Sequence, residues 1–171
     1  MRTEKIGHLE VSQEIQNAIA ADVAPWSLDK YRSSLRGLEK TDSILIIYDE
    51  KNIKENTIKV IDDNKYFLGL FSDFFSFLDR SPVKPQQIIR MFLARLPPQT
   101  KIGLHKDPIE FSELVRVHWV LSTNNSCQMV FRKEKLHFEV GEIWIFDNMA
   151  LHGAHNFGQS DRVHLIADLM L

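Results

Sequence analysis

The last 31 residues read GEIWIFDNMALHGAHNFGQSDRVHLIADLML (residues 141–171) and carry a clear signal of the fold class. Three short runs of strand-forming residues, GEIWIFD, HGAHNF and RVHLIADLML, follow one another with polar turns between them. Short strands at regular spacing, without helices between them, are typical of an all-β sandwich or barrel. The C-terminal part of the chain is therefore predicted to be mainly β.

Short runs of strand-forming residues continue back to residue 86: IIRMFLARL, KIGLHKD, LVRVHWVLS, CQMVFRK and KLHFEV. We predict one domain over residues 1–171, with the barrel core in residues 86–171 and a helical or mixed part in residues 1–85. In that first part, apolar side chains recur at helical spacing in residues 9–21 and 66–79, which predicts a helix in each segment. The second segment is rich in phenylalanine and is expected to pack on the core. Residues 43–50 are predicted to form a buried strand, residues 31–42 irregular structure, and residues 54–65 a polar loop with room for a short strand.

Composition narrows the function classes. With 171 residues the chain is long enough to bury a core without disulfides or a structural metal. A net charge of −2 argues against a nucleic-acid binder that works by bulk electrostatics. The single cysteine, Cys127, excludes an intramolecular disulfide and favours a reducing cytoplasm. The start, MRTEKIGHLEVSQE, shows no signal peptide, and no apolar run reaches the length of a membrane span.

Two strands each carry one apolar row and one polar row, because successive strand residues point to opposite faces. Arg116, His118 and Val120 share a face, and so do the alternate residues of the last strand, from Arg162 through His164 and Ile166 to Asp168. Two interpretations stay open at this point. Either the polar rows belong to the solvent-exposed face of an ordinary antiparallel sheet, or they line the interior of a closed barrel that holds a ligand.

The segment KIGLHKD places His105 and Asp107 two residues apart, on one face of an extended strand. The pair alone is a weak signal. Two histidines and one carboxylate form the facial triad of non-haem Fe(II) oxygenases, and His152 or His155 can supply the second imidazole. Arg162 lies ten residues after His152, where a hairpin would return its guanidinium to the same site.

This pattern resembles that of the 2-oxoglutarate-dependent oxygenases. The closer similarity is to the aspartyl/asparaginyl β-hydroxylase family, and within it to bacterial L-proline cis-hydroxylases. It rests on ARLPPQTKIGLHKD, VRVHWVL and GEIWIFDNMALHGAHNFGQSDRVHLIADL, so that it covers residues 95–169 well and the N-terminal half loosely. The resemblance implies a double-stranded β-helix (a cupin-like jelly roll) with N-terminal supporting helices.

The resemblance also implies the site. Fe(II) would be held by His105, Asp107 and His152, and 2-oxoglutarate by Arg162 with help from His118. Arg116, joined by Arg95, would bind the substrate carboxylate, with no catalytic residue beyond the metal centre. The implied reaction is an O2-dependent hydroxylation of an amino acid, proline-like, or of an amino-acid residue in a peptide or on a carrier.

One departure bears on the substrate. The proline hydroxylases carry a further helical region after the barrel, whereas this sequence ends at Leu171. We therefore expect a more open pocket, or a lid from the N-terminal segment.

Other side chains have plainer interpretations. His155 is expected near the mouth of the pocket, His164 in a structural role, His137 exposed to solvent, and Cys127 buried as a small hydrophobe. Two other functions remain open: a cupin-like metal-binding or sensing domain without oxygenase activity, and a sugar-binding or scaffolding β-sandwich whose histidines are incidental.

Overall fold

The computed structural model describes residues 3–20, 24–26, 38–49, 58–107, 112–132 and 134–171. Within these ranges it contains eleven strands and three α-helices, with a 3-10 turn at Asp62–Asn64 before the second helix. In chain order they are β1 (Glu4–His8), α1 (Gln13–Ala18), β2 (Asp42–Asp49), β3 (Ile58–Val60), α2 (Tyr66–Leu70), α3 (Ser72–Arg80), β4 (Gln87–Leu96), β5 (Thr100–His105), β6 (Val115–Ser122), β7 (Cys127–Phe131), β8 (Lys135–Leu136), β9 (Glu142–Phe146), β10 (His152–Asn156) and β11 (Arg162–Met170).

The strands form two antiparallel sheets. The large sheet has the order β1-β9-β6-β11-β4-β2-β3, and the small sheet has the order β5-β10-β7-β8. Val120 and Phe146 of the large sheet share one buried apolar cluster with Met129 and Ala154 of the small sheet, so the two sheets face each other. Two facing antiparallel sheets with these crossovers are a jelly roll. The predicted fold class is confirmed.

The opposite face of the large sheet is covered by the helices. Phe74 of α3 stacks on Trp119 of β6 with ring centroids 5.7 Å apart, and Phe71 meets the same indole edge-on at 6.0 Å. Both phenylalanines are fully buried, and burying one such side chain stabilises a fold by about 1.5–3 kcal/mol. The phenylalanine-rich segment is core packing, as predicted.

Both faces of the central strands are therefore buried. In β6 the residues Arg116 and His118 are 6% and 4% exposed, and in β11 Asp168 is fully buried. A sheet with one wet face would leave these side chains in water. Their burial leaves the second interpretation, in which the polar rows line the space between the two sheets.

Several boundaries differ from the sequence prediction. The helix predicted over residues 9–21 begins only at Gln13, because the Ser12 hydroxyl accepts a hydrogen bond from the Ile15 N–H (3.2 Å) and caps the first turn. The helix predicted over residues 66–79 is divided at Phe71, whose ψ of 20° ends α2 and begins α3. Strand β1 was not predicted at all, although it pairs with β9.

The predicted N-terminal part is continuous with the barrel, since β1, β2 and β3 are strands of the large sheet. The irregular segment predicted over residues 31–42 lies mostly outside the described residues. The first helix ends at Ala18, earlier than the predicted end at residue 21. Among the helices that are described, none is long and apolar enough to cross a membrane.

Candidate metal and 2-oxoacid site

Three predicted ligands converge at one end of the small sheet. His105 ends β5, His152 begins β10, and the two residues are paired across the ladder, with Asp107 two residues beyond. Asp107 Oδ1 lies 3.5 Å from His105 Nε2 and 3.7 Å from His152 Nε2. All three ligand atoms lie within 4.8 Å of one another. Three donor atoms this close together could hold one metal ion.

The backbone sets the orientation of both imidazoles. His105 Nδ1–H donates to the Gly103 carbonyl (2.9 Å), and His152 Nδ1–H donates to the Ala150 carbonyl (2.8 Å). Each ring then carries its lone pair on Nε2, the atom that faces Asp107, which is how metal-binding histidines are usually held. Burial lowers the pKa of His152 to about 4, so its imidazole is neutral and able to coordinate.

The turn between β9 and β10 supports this arrangement. Asp147 Oδ1 accepts hydrogen bonds from the N–H groups of Met149 and Ala150, both at 3.1 Å, and so fixes the carbonyl that orients His152. The Asp107 N–H donates to the carbonyl of Asn148 (3.1 Å), which ties the carboxylate ligand to the same turn.

Close strand packing also needs a glycine beside His152. A Cβ at Gly153 would lie 2.7 Å from the Ile102 carbonyl oxygen, so the absence of a side chain lets β10 lie against β5. The pairing of the two strands is irregular at this point, between His152 and Ala154, and such irregularities are common next to active sites.

Arg116 contacts the carboxylate of Asp107 on the side away from the two histidines. Its Nη1 contacts Asp107 Oδ2, while its Nε and Nη2 donate to Asp168 at 2.7 and 3.1 Å. A guanidinium has five N–H donors, and these contacts use three of them. Two N–H groups remain, and Arg116 lines the pocket.

Arg162 begins β11 and lies deep between the sheets, 6% exposed. Its Nη2 lies 2.9 Å from Met129 Sδ and donates to His164 Nδ1 at 3.1 Å. Among the residues that the structure describes, no carboxylate pairs with this guanidinium. Burial lowers its pKa to about 10, and the group remains a buried cation, which is costly without an anion beside it.

His118 and His164 continue the polar row from Arg162. Because arginine only donates, His164 Nδ1 accepts from Arg162, and His118 Nδ1 lies 3.2 Å from the same nitrogen. Burial, with Arg162 and His118 adding to it, holds the pKa of His164 well below its ordinary value, which agrees with a neutral ring. His118 itself stacks on Phe146 with ring centroids 4.7 Å apart.

One pocket joins these groups. It lies between the two sheets and is partly open to solvent. All seven residues predicted to form the site line it: His105, Asp107, His152, Arg162, His118, Arg116 and Arg95. Arg95 pairs with Asp42 at 2.7 Å, lies 3.6 Å from Asp161, and covers the Trp26 ring at 4.9 Å.

The remaining sequence predictions had mixed outcomes. His137 was expected in solvent, but its side chain is 27% exposed and its Nδ1–H donates to the Cys127 carbonyl (2.7 Å), so that prediction is wrong. Cys127 is buried, as predicted. His155 points to the face of β10 opposite His152, where it packs against Phe157.

The sequence analysis did not predict two contacts near the site. Asp168 pairs with Arg116, and Arg90 is a second arginine that contacts Asp168. The available signal was weak. Alternation already placed Asp168 in the inward polar row with Arg162, but the identity of its partners depends on strand register, which the sequence does not give.

Comparison with known proteins places this geometry in a family context. A family model described as aspartyl/asparaginyl beta-hydroxylase matches residues 54–170. An L-proline cis-4-hydroxylase from Rhizobium meliloti (strain 1021) is 38% identical over 65 residues, which are 37% of this chain and 23% of that protein. The chain thus matches less than a quarter of the length of this relative.

Two solved structures share the fold. A 2OG-Fe(II) oxygenase family oxidoreductase from Burkholderia pseudomallei superposes with a TM-score of 0.58 and 15% identity, over 89% of this chain and 79% of that one. The viral collagen prolyl hydroxylase vCPH from Paramecium Bursaria Chlorella virus-1, in its 2OG complex, gives 0.50 with 12% identity, over 97% and 94%. At these identities the likeness shows the fold alone.

Proposed function

The chain belongs to the aspartyl/asparaginyl beta-hydroxylase family, and on that premise we propose that it is an Fe(II)- and 2-oxoglutarate-dependent dioxygenase that hydroxylates an amino acid or an amino-acid residue. One observation carries the proposal. A cluster of two imidazoles and a carboxylate lines the same pocket as the buried Arg162. The described residues supply no carboxylate partner for this arginine. A metal ion and a dianion would satisfy both ends of that pocket.

The donor set fits Fe(II). His105, Asp107 and His152 offer two neutral nitrogens and one carboxylate oxygen from one side, which is the ligand set of non-haem Fe(II) oxygenases and leaves coordination positions for other ligands. When bound, Fe(II) together with 2-oxoglutarate and O2 supplies the oxidising power for C–H hydroxylation, with succinate and CO2 as by-products. The protein's part is to hold and orient the reactants.

The same pocket fits 2-oxoglutarate. Its far carboxylate would accept charge-assisted hydrogen bonds from the Arg162 N–H groups that do not contact Met129 and His164, and the guanidinium keeps its charge at any working pH. His164 accepts from Arg162 Nη2 on the protein side, so the arginine is held in place before the ligand arrives. His118, which lines the pocket beside Arg162, would contribute a further polar contact.

The substrate is proposed to bring a carboxylate to Arg116. Two N–H groups of this guanidinium stay available after its contacts with Asp107 and Asp168, and orienting the target C–H bond is the protein's main contribution to such a reaction. Arg95 at the pocket wall would join it by exchanging part of its contact with Asp42. A proline-like free amino acid and a residue in a peptide or on a carrier both present such a group. The predicted cytoplasmic location is kept as a proposal.

A substrate panel tests the function. Purified protein with Fe(II), 2-oxoglutarate and O2 is offered free amino acids and short peptides, and succinate release and a +16 mass change are measured. We expect one substrate class to give both signals, and His152→Ala to abolish them. His155→Ala is the matched control, since His155 lies in the same strand but on the opposite face, and should keep turnover.

Two results would count against the proposal. Undiminished turnover in His152→Ala would show that the metal site is assigned wrongly. If Mn(II) stabilises the protein against heat but 2-oxoglutarate adds nothing to the metal-loaded form, the alternative of a metal-binding domain without oxygenase activity would be favoured.

A further inference from the structure

Asp168 is a fully buried carboxylate that holds two arginines. It lies two residues before the end of β11, directly opposite Arg90 of β4 on one side and Arg116 of β6 on the other. Arg90 Nη2 is 2.6 Å from Asp168 Oδ2, and Arg116 Nε is 2.7 Å from Oδ1. Burial would raise the pKa of Asp168, but the two guanidiniums outweigh it and hold the pKa below its ordinary value, so the group is an anion.

Arg116 links this anion to the metal site. One edge of its guanidinium, formed by Nε and Nη2, lies side-on to Asp168, while Nη1 contacts Asp107 Oδ2. The other Asp107 oxygen, Oδ1, is the one that faces the Nε2 atoms of the two histidines. The contact therefore divides the two oxygens of the carboxylate, one for the protein and one for a metal ion.

Arg116 could also contact both oxygens of Asp107, and this second geometry shows why Asp168 is needed to keep one oxygen free. A guanidinium beside a carboxylate favours the bidentate geometry in which both oxygens accept. In that geometry Arg116 would compete with a metal ion for Asp107 Oδ1. Asp168 engages the Nε–Nη2 edge of the guanidinium, which keeps that edge turned away from Asp107 and fixes the plane of the group with Nη1 on Asp107 Oδ2.

We propose that Asp168, held by Arg90, is a positioning residue of the metal site: it restrains Arg116 so that Asp107 keeps one oxygen free for the metal ion. The inference rests on the metal site of the proposed function and concerns the ligand's support rather than the reaction. It predicts an effect on metal affinity in the absence of 2-oxoglutarate, substrate and O2. Losing such an outer partner typically weakens metal binding about 10–100-fold.

Co(II) titration tests the idea, with affinity and the visible d–d absorption of the bound ion as readouts. Asp168→Asn should bind Co(II) about 10–100-fold more weakly. Asp168→Glu keeps the charge but is one methylene longer, so it should also weaken binding and shift the absorption. Asp42→Asn is the matched control, because it removes the carboxylate from Arg95, another arginine of the pocket that does not contact Asp107. It should stay within about threefold of the wild type.

The outcomes separate this inference from the proposed function. If His105→Ala abolishes Co(II) binding but both Asp168 variants bind within about twofold of the wild type, the positioning role is refuted and the metal site stands. If only Asp168→Asn is weakened, charge rather than position is responsible, and the inference is also refuted. Should Asp168→Asn fail to fold by circular dichroism, Asp168→Glu alone decides. If His105→Ala binds normally, the metal site of the proposed function fails.

Discussion

Arg162 offers a test in which stability and binding change in opposite directions. We predict that Arg162→Met makes the ligand-free protein more stable and removes its response to 2-oxoglutarate. Methionine has a similar length and apolar volume, and it would lie beside Met129 without a charge. The guanidinium is buried and, among the described residues, has no carboxylate partner, so the folded protein gains when the charge is removed.

The size of the gain follows from the pKa. Burial lowers the pKa of Arg162 to about 10, which at about 1.4 kcal/mol per pKa unit disfavours the charged, folded form by about 3 kcal/mol. Because the pKa of this cation falls on folding, the penalty is present in full at pH below about 10 and is lost as the pH rises above that value. The lost contact with His164 offsets part of it. We therefore expect a net gain of about 1–3 kcal/mol at pH 7, and about 2–4 °C in Tm for each kcal/mol.

Thermal denaturation of the Mn(II)-loaded protein measures both effects. In the wild type, 2-oxoglutarate at 100 times its Kd should add about 2.7 kcal/mol of stability. In Arg162→Met its affinity should fall at least about 30-fold, since losing one partner of a buried charge pair costs about 2–5 kcal/mol. Mn(II) affinity should not change, which is the internal control. A variant that is less stable than the wild type and still responds normally to 2-oxoglutarate would refute the reasoning.

Three further changes probe other parts of the molecule. His164→Leu removes the acceptor that holds Arg162, so 2-oxoglutarate should bind about tenfold more weakly by calorimetry with Mn(II) affinity unchanged; an unaltered 2-oxoglutarate titration would contradict this. Phe74→Ala opens a cavity under Trp119 and should cost about 3–5 kcal/mol in urea unfolding, and a loss under 1 kcal/mol would mean that the helix packs less tightly than described. Mn(II) should stabilise the wild type, and EDTA should reverse that effect. His105→Ala should abolish the stabilisation; if Mn(II) still stabilises the variant, the ion binds elsewhere.

Local patterns predicted which side chains share a strand face, and the structure brings the predicted site residues to one pocket. His152 and His155 are both in β10, but they are three residues apart and so point to opposite faces. Only one of them can join His105 and Asp107; the residues left both open, and the family resemblance implied His152. The alternation of β6 and β11 likewise predicted which side chains point inward, because a strand's two-residue period depends on nothing beyond the strand.

Relations between strands were not predictable in the same way. Arg116 and Arg162 look alike in the sequence, since each begins an inward polar row. Only the register shows that Arg116 lies opposite Asp168, whereas Arg162 lies opposite Leu96. Register depends on turns and on packing between distant segments, and a single sequence carries little information about either. The same limit explains why β1 was missed, because its five residues become a strand through pairing with β9.

The different environments of the two arginines explain how the pocket can discriminate between anions. Arg116 is neutralised by Asp107 and Asp168, so it adds little net attraction until a substrate offers its remaining donors a second carboxylate. Arg162 has no such partner among the described residues, and its desolvation cost is already met when the protein folds. An anion that reaches it gains nearly the full charge-assisted interaction. A ligand that only chelates the metal ion would leave that buried cation unpaired, so we expect the site to favour a dianion that spans from the metal ligands to Arg162.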